Sequence, residues 1–108
     1  MIALVPVTPE DTVEPGLGRA ATVALVTVAD GAVTDYERVD VGWDVLHDEG
    51  TEGAHHARVV RFLKDHDVDT VVAQRFGAGM ARMLDSMGLR VVLDASGDAR
   101  TAVLSAAG

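Results

Sequence analysis

The second half of the sequence constrains the fold most, because helical and strand-like hydrophobic spacing alternate along it. Apolar residues recur at i, i+3, i+4 and i+7 in the helical segments, whereas the strand-like segments are short and almost continuously apolar. Strands that alternate with helices in this way run parallel and carry the crossover helices on the faces of the sheet. The predicted order is helix 54–67, strand 68–73, helix 77–87, strand 89–93 and a last helix capped by Ser96.

The first half predicts antiparallel pairing instead. Residues 2–7 form a short apolar run, and residues 22–29 are rich in β-branched side chains. Asp30-Gly31 is a dipeptide that favours a two-residue type I′ turn, after which residues 33–43 alternate approximately between apolar and polar. A hairpin joined to a parallel βαβ half gives a mixed five-stranded sheet with helices on its faces. We therefore expect an α/β fold that forms a single domain over all 108 residues.

Composition and charge exclude several classes of function. The formal net charge is −8 and the nine Lys and Arg residues are scattered, which argues against nucleic acid as a partner. The chain has no cysteine, so disulfides, thiolate zinc sites and all-cysteine iron–sulfur sites are excluded. No apolar run reaches the roughly 20 residues of a membrane span, and the N-terminus lacks the basic flank of a signal peptide. We expect a cytoplasmic protein with no membrane partner.

Two adjacent histidines open the first predicted helix of the second half. Successive helical residues point about 100° apart, so His55 and His56 cannot both face one ion from a regular helix. We expect His56 to pack at the edge of the core, on the stripe of Val59, and His55 to lie at the loop edge. Either the pair simply begins a helix, or one imidazole binds a metal together with His47 across the preceding loop.

Two glycine-bearing loops, residues 16–21 and 74–79, are the other candidates for a binding site. The second follows a predicted strand and precedes a predicted helix, which is where ligands usually bind in open α/β sheets. Free backbone N–H groups and the helix dipole favour an anion there, and Arg75 adds a forked donor. We expect Gly18 and Arg19 to lie near the same sheet edge. Plain turns without a ligand explain both loops equally well.

Taken in order, these segments resemble the dinitrogenase iron–molybdenum cofactor biosynthesis family, which comprises small domains of the NifX/NafY type and stand-alone relatives. The match covers nearly the whole chain. Gly18-Arg19-Ala20 is similar to the family's Phe-Gly-Arg-Ala, with Leu17 in place of the aromatic residue. The segments that carry the resemblance are residues 2–7, 18–20, 30–31, 53–63, 68–73, 77–79 and 84–92.

The resemblance implies a ribonuclease-H-like fold that binds or carries an iron–sulfur or iron–molybdenum cluster, together with a protein partner in cofactor assembly. It implies no catalytic residue, and no serine lies in a nucleophile-elbow context. Without cysteine, the available groups are imidazole and guanidinium. The alternative is a small-anion or protein-interaction module of the same fold that binds no cluster. The predicted cofactor-binding residues are Gly18, Arg19, His55, His56, Arg75, Gly77 and Gly79, and the predicted metal ligands are His47, His55 and His56.

Overall fold

One mixed sheet organises the molecule. The computed structural model describes residues 1–46 and 48–107. The strands are β1 (Ile2–Val7), β2 (Thr22–Ala29), β3 (Ala32–Asp40), β4 (Thr70–Val72) and β5 (Arg90–Val92). The sheet order is β3-β2-β1-β4-β5: the central strand β1 pairs antiparallel with β2 and parallel with β4, while β3 and β5 form the edges. This confirms the predicted α/β fold with an antiparallel hairpin and a parallel second half.

The hairpin of β2 and β3 has the predicted two-residue turn. Asp30 and Gly31 both have positive φ, at 54° and 77°, as a type I′ turn requires. Strand β3 ends at Asp40, whereas the pattern predicted a strand as far as residue 43, and a short helix begins at Trp43. Trp43 is only 2% exposed, because this helix turns its indole into the core beneath the sheet.

The helices divide unequally between the two faces of the sheet. The helices are α1 (Trp43–Leu46), α2 (Glu52–Asp65), α3 (Ala78–Ser86) and α4 (Ala99–Ala107). The side chains of α1, α2 and α3 join one apolar cluster, and those of α4 join the other. Strand β1 supplies both clusters by alternation, with Leu4 on the first face and Ala3 and Val5 on the second. No helix among the described residues is both long and apolar enough to cross a membrane.

The start of α4 differs from the prediction. Ser96 was expected to cap this helix, but Asp98 does so: its carboxylate accepts hydrogen bonds from the backbone N–H of Thr101 at 2.9 Å and from the Thr101 hydroxyl at 3.0 Å. The Ala99 N–H donates to the backbone carbonyl of Asp11 at 2.9 Å. The helix therefore begins where the loop after β1 holds it, and that contact is not encoded in the local sequence.

The loop after β1 is itself well anchored. The hydroxyls of Thr8 and Thr12 lie 2.7 Å apart, and Val13 N–H donates to the Gly97 carbonyl at 2.8 Å. Asp11 has a φ of 61° and accepts hydrogen bonds from Tyr36 and Arg38 of β3. The loop thereby connects β1, β3 and the start of α4, and directs the following residues toward the carboxyl end of β1.

Candidate functional site

A pocket of about 590 Å³ opens where the chain leaves β1 and β4. These parallel neighbours send the chain in opposite directions, from β1 toward β2 and from β4 through α3 toward β5, which leaves a crevice between the two loops. The loops meet there, because Gly16 pairs with Arg75 in parallel register. The lining residues are Gly16–Arg19, Asp48, His55, His56 and Arg75–Met80.

All of the residues predicted from the sequence to bind a cofactor line this one pocket. The structure brings them together from three segments: a 3₁₀ turn at Leu17–Arg19, the first turn of α2, and the loop that leads into α3. His47, the third predicted metal ligand, lies outside the described residues. The convergence is a fact of the fold, whereas cofactor binding by these residues stays a prediction.

His55 is the buried member of the histidine pair. It is 6% exposed, its ring meets the Trp43 ring edge-on with centroids 6.4 Å apart, and His56 is half-buried. The prediction that His55 would lie at the loop edge, with His56 as the more core-facing of the two, was therefore wrong. The physical reason is the rotation of α2, because Phe62 also packs against Trp43 and turns the flank shared by Phe62 and His55 inward.

Both ring nitrogens of His55 take part in hydrogen bonds. Nδ1 lies 3.0 Å from Nη1 of Arg58, and Nε2 lies 2.8 Å from the carbonyl oxygen of Gly18. A guanidinium can only donate, so Nδ1 is the acceptor, and Nε2 carries the proton and donates to Gly18. The imidazole is therefore held as the neutral Nε2–H tautomer, and a metal ion at either nitrogen would have to replace one of these bonds.

His56 provides the imidazole at the pocket wall, where Asp48 contributes an acidic side chain. Among the side chains that the structure describes, which leave out those of residues 47 and 52, no three His, Asp or Glu side chains come together in an arrangement that could hold a metal ion. The described side chains of the pocket therefore do not form a three-ligand metal site by themselves.

The cationic groups of the pocket are Arg19 and Arg75. Both are exposed, and neither forms a salt bridge with any residue that the structure describes, although the chain has 17 Asp and Glu residues. Helix α3 begins at this point, with Gly77 as its N-cap and no capping side chain. The first N–H groups of a helix have no acceptor within the helix, so they favour an anion. The pocket thus combines two guanidinium groups with an open helix N-terminus.

Comparison with known proteins identifies the family. The profile of the dinitrogenase iron-molybdenum cofactor family matches residues 1–107. The chain belongs to this family. The sequence resemblance to iron–molybdenum cofactor biosynthesis proteins is therefore confirmed. No curated protein sequence matches the chain.

Solved structures agree with the fold of this family member. PH0822 is 22% identical, with a TM-score of 0.75 over 98% of this chain and 88% of that chain. The apo form of the orange protein from Desulfovibrio gigas is 24% identical, with a TM-score of 0.75 over 94% of this chain and 82% of that one. TM1290 from Thermotoga is 19% identical, with a TM-score of 0.71 over 98% and 86%. At these identities the likeness establishes the fold alone.

Outside the two predicted loops, sequence reasoning missed three residues: Asp48 and Met80, which line the pocket, and Arg58, which contacts His55. Met80 is 4% exposed and has the helical spacing of a core residue, so it belongs to the core as well as to the pocket wall. Arg58 was not singled out, although it lies one helical turn after His55, the spacing at which helical side chains meet. That spacing was the available signal for the contact.

Proposed function

We propose that this protein is a non-catalytic binding or carrier protein for a metallocofactor of the iron–sulfur or iron–molybdenum type. One observation carries the proposal: two guanidinium groups without described acidic partners flank a single pocket in a chain of net charge −8. Membership of a family named for the dinitrogenase cofactor supports the same class of ligand. A carrier role implies a protein partner in cofactor assembly that delivers or receives the cofactor.

The chemistry of the pocket suits an anionic cargo that is rich in sulfide. Arg19 and Arg75 supply forked hydrogen-bond donors, and the backbone N–H groups at the start of α3 supply further donors to acceptor atoms. The chain has no cysteine, so no thiolate can bind the cofactor's metal ions. The imidazole of His56 is the described pocket group suited to iron or molybdenum as a ligand.

Anaerobic titration with isolated iron–molybdenum cofactor tests the proposal. We expect saturable binding to the wild-type protein and at least about tenfold weaker binding to Arg75→Gln, since hydrogen bonds to charged groups contribute about 1.5–3 kcal/mol. Arg82→Gln is the matched control, because it removes the same charge from an exposed position of α3 that does not line the pocket. Equal affinities of the two variants, or unchanged binding when His56 is replaced by Ala, would contradict the assigned site.

The second candidate is a small-anion or protein-interaction module that binds no cluster. The absence of cysteine, and of a group of three metal-binding side chains among the described residues, favours it. Titration with molybdate, a small oxyanion, and elemental analysis of protein purified without oxygen separate the two functions. Metal bound in stoichiometric amount favours the carrier, whereas molybdate binding without cofactor binding favours the small-anion module.

A further inference from the structure

Arg58 connects two helices beside the pocket without lining it. One nitrogen of its guanidinium, Nη1, lies 3.2 Å from the carbonyl oxygen of Leu46 and 3.0 Å from Nδ1 of His55. Because Nη1 has two hydrogens, it can donate to both acceptors at once. Leu46 ends α1 and His55 lies in the first turn of α2, so this half-buried guanidinium fixes the two helices relative to each other.

His55 connects Arg58 to the wall of the pocket. Its Nε2–H donates to the carbonyl of Gly18 at 2.8 Å, inside the 3₁₀ turn that ends with the exposed Arg19. A Cβ at Gly18 would lie 3.8 Å from Cε of Met80 and 4.0 Å from Nε2 of His55. The turn is therefore in close contact with α3 through Met80 and with α2 through His55. The hydrogen bond from the His55 imidazole is the one polar contact between the turn and α2 that the structure describes.

We propose that His55 and Arg58 are positioning residues of this pocket. Arg58 keeps the imidazole in the Nε2–H tautomer, and that tautomer fixes the turn that presents Arg19 to an anionic ligand. The role rests on the proposed function, since it presumes that the pocket binds such a ligand. It assigns His55 to the support of the binding loop in place of metal ligation, because both ring nitrogens already form hydrogen bonds and the ring is buried.

Glutamine at position 55 distinguishes positioning from ligation. Its amide can donate to the Gly18 carbonyl and accept from Arg58, but it is a far poorer ligand for iron or molybdenum than imidazole. With iron–molybdenum cofactor as the probe, we expect His55→Gln to bind within about threefold of wild type, and His55→Ala and Arg58→Met to bind about tenfold more weakly. Equal losses in His55→Gln and His55→Ala would overturn the positioning role.

Nuclear magnetic resonance of ¹⁵N-labelled protein tests the same role without any ligand. We expect wild-type His55 to show a protonated Nε2 and an unprotonated Nδ1, and Arg58→Met to show a mixture of tautomers with shifted backbone amides at residues 17–20. Arg58→Lys restores a donor and should recover part of the wild-type signature. Arg61→Met is the matched control, because Arg61 is an exposed arginine of α2 that does not line the pocket.

The two measurements fail in different ways. If the wild-type protein binds no cofactor, the proposed function is wrong, and the tautomer and amide shifts alone decide whether Arg58 positions the turn through His55. If Arg58→Met leaves both the tautomer and the turn unchanged while the protein stays folded, the positioning role is wrong whatever the cofactor does.

Discussion

Tyr36 is the only tyrosine of the chain, so its phenol can be titrated by absorbance without interference from another. Its hydroxyl donates to Oδ1 of Asp11 at 2.7 Å, and the guanidinium of Arg100 lies 3.8 Å from the centre of its ring. Burial, followed by the hydrogen bond to the Asp11 carboxylate, raises the pKa of Tyr36 from 10.0 to about 12. A titration of tyrosinate absorbance in the near ultraviolet should therefore have its midpoint near pH 12.

Replacing Asp11 by Asn tests the cause of this shift. The amide oxygen of Asn can still accept the phenolic hydrogen bond, but the negative charge that opposes ionisation of the phenol is gone. The pKa of Tyr36 should fall below its wild-type value of about 12 and stay above 10.0, because burial is the largest cause and remains. Glu10→Gln is the matched control, since it removes a neighbouring acid that makes no hydrogen bond with Tyr36.

The same pKa makes the stability of the fold depend on alkaline pH. The folded-state pKa of Tyr36 lies above 10.0, the value in the unfolded chain. The protonated phenol therefore contributes its full share to the free energy of unfolding below pH 10, and this share is lost as the pH rises through about 12. Two pKa units correspond to about 2.7 kcal/mol, and solvent screening of the half-exposed ring reduces the expected loss to about 1 kcal/mol. A wild-type midpoint near 10, or identical midpoints in the wild type and Asp11→Asn, would refute the reasoning.

Three further predictions concern the packing and the backbone, and denaturant unfolding followed by Trp43 fluorescence measures each of them. Leu84→Ala removes a fully buried side chain and should lower the free energy of unfolding by about 2–5 kcal/mol, whereas Leu104→Ala, at a 37% exposed position, should cost below about 1 kcal/mol. Asp98→Ala removes the cap of α4 and should lower the denaturant midpoint; an unchanged midpoint would contradict the capping role. Gly31→Ala at a φ of 77° should cost about 1 kcal/mol through backbone strain alone, because nothing lies within 4 Å of the added Cβ.

The sequence predicts the order of the elements well because hydrophobic period is a local property. The parallel half, the Asp30-Gly31 turn and the position of α3 follow from spacing and turn chemistry that each segment carries by itself. The start of α4 does not, because the carbonyl of Asp11, far away in the chain, accepts from Ala99 and sets where the helix begins. The residues around Ser96 carry no sequence signal of this contact.

The candidate site is likewise predictable where it follows from local spacing and strand order, and unpredictable where it depends on contacts between distant residues. The carboxyl ends of parallel neighbours must share a sheet edge, so the loops bearing Arg19 and Arg75 converge as expected. The burial of His55 is not predictable from the helix alone, because the rotation of α2 is set by packing against Trp43. The role of Arg58 is not predictable either, because it depends on hydrogen bonds to both the end of α1 and His55.

The central strand β1 pairs with one strand that is close to it in the chain, β2, and with one that is distant, β4. The turn between β2 and β3 closes a very short loop, and hairpins of this kind form in about 1–10 μs. The pairing of Ala3 with Thr70 instead joins distant parts of the chain, so we expect its loop-closure entropy to delay formation of the parallel half and of the pocket at its edge. We therefore expect a ligand of the pocket to slow unfolding and leave the folding rate unchanged, which stopped-flow fluorescence of Trp43 measures directly.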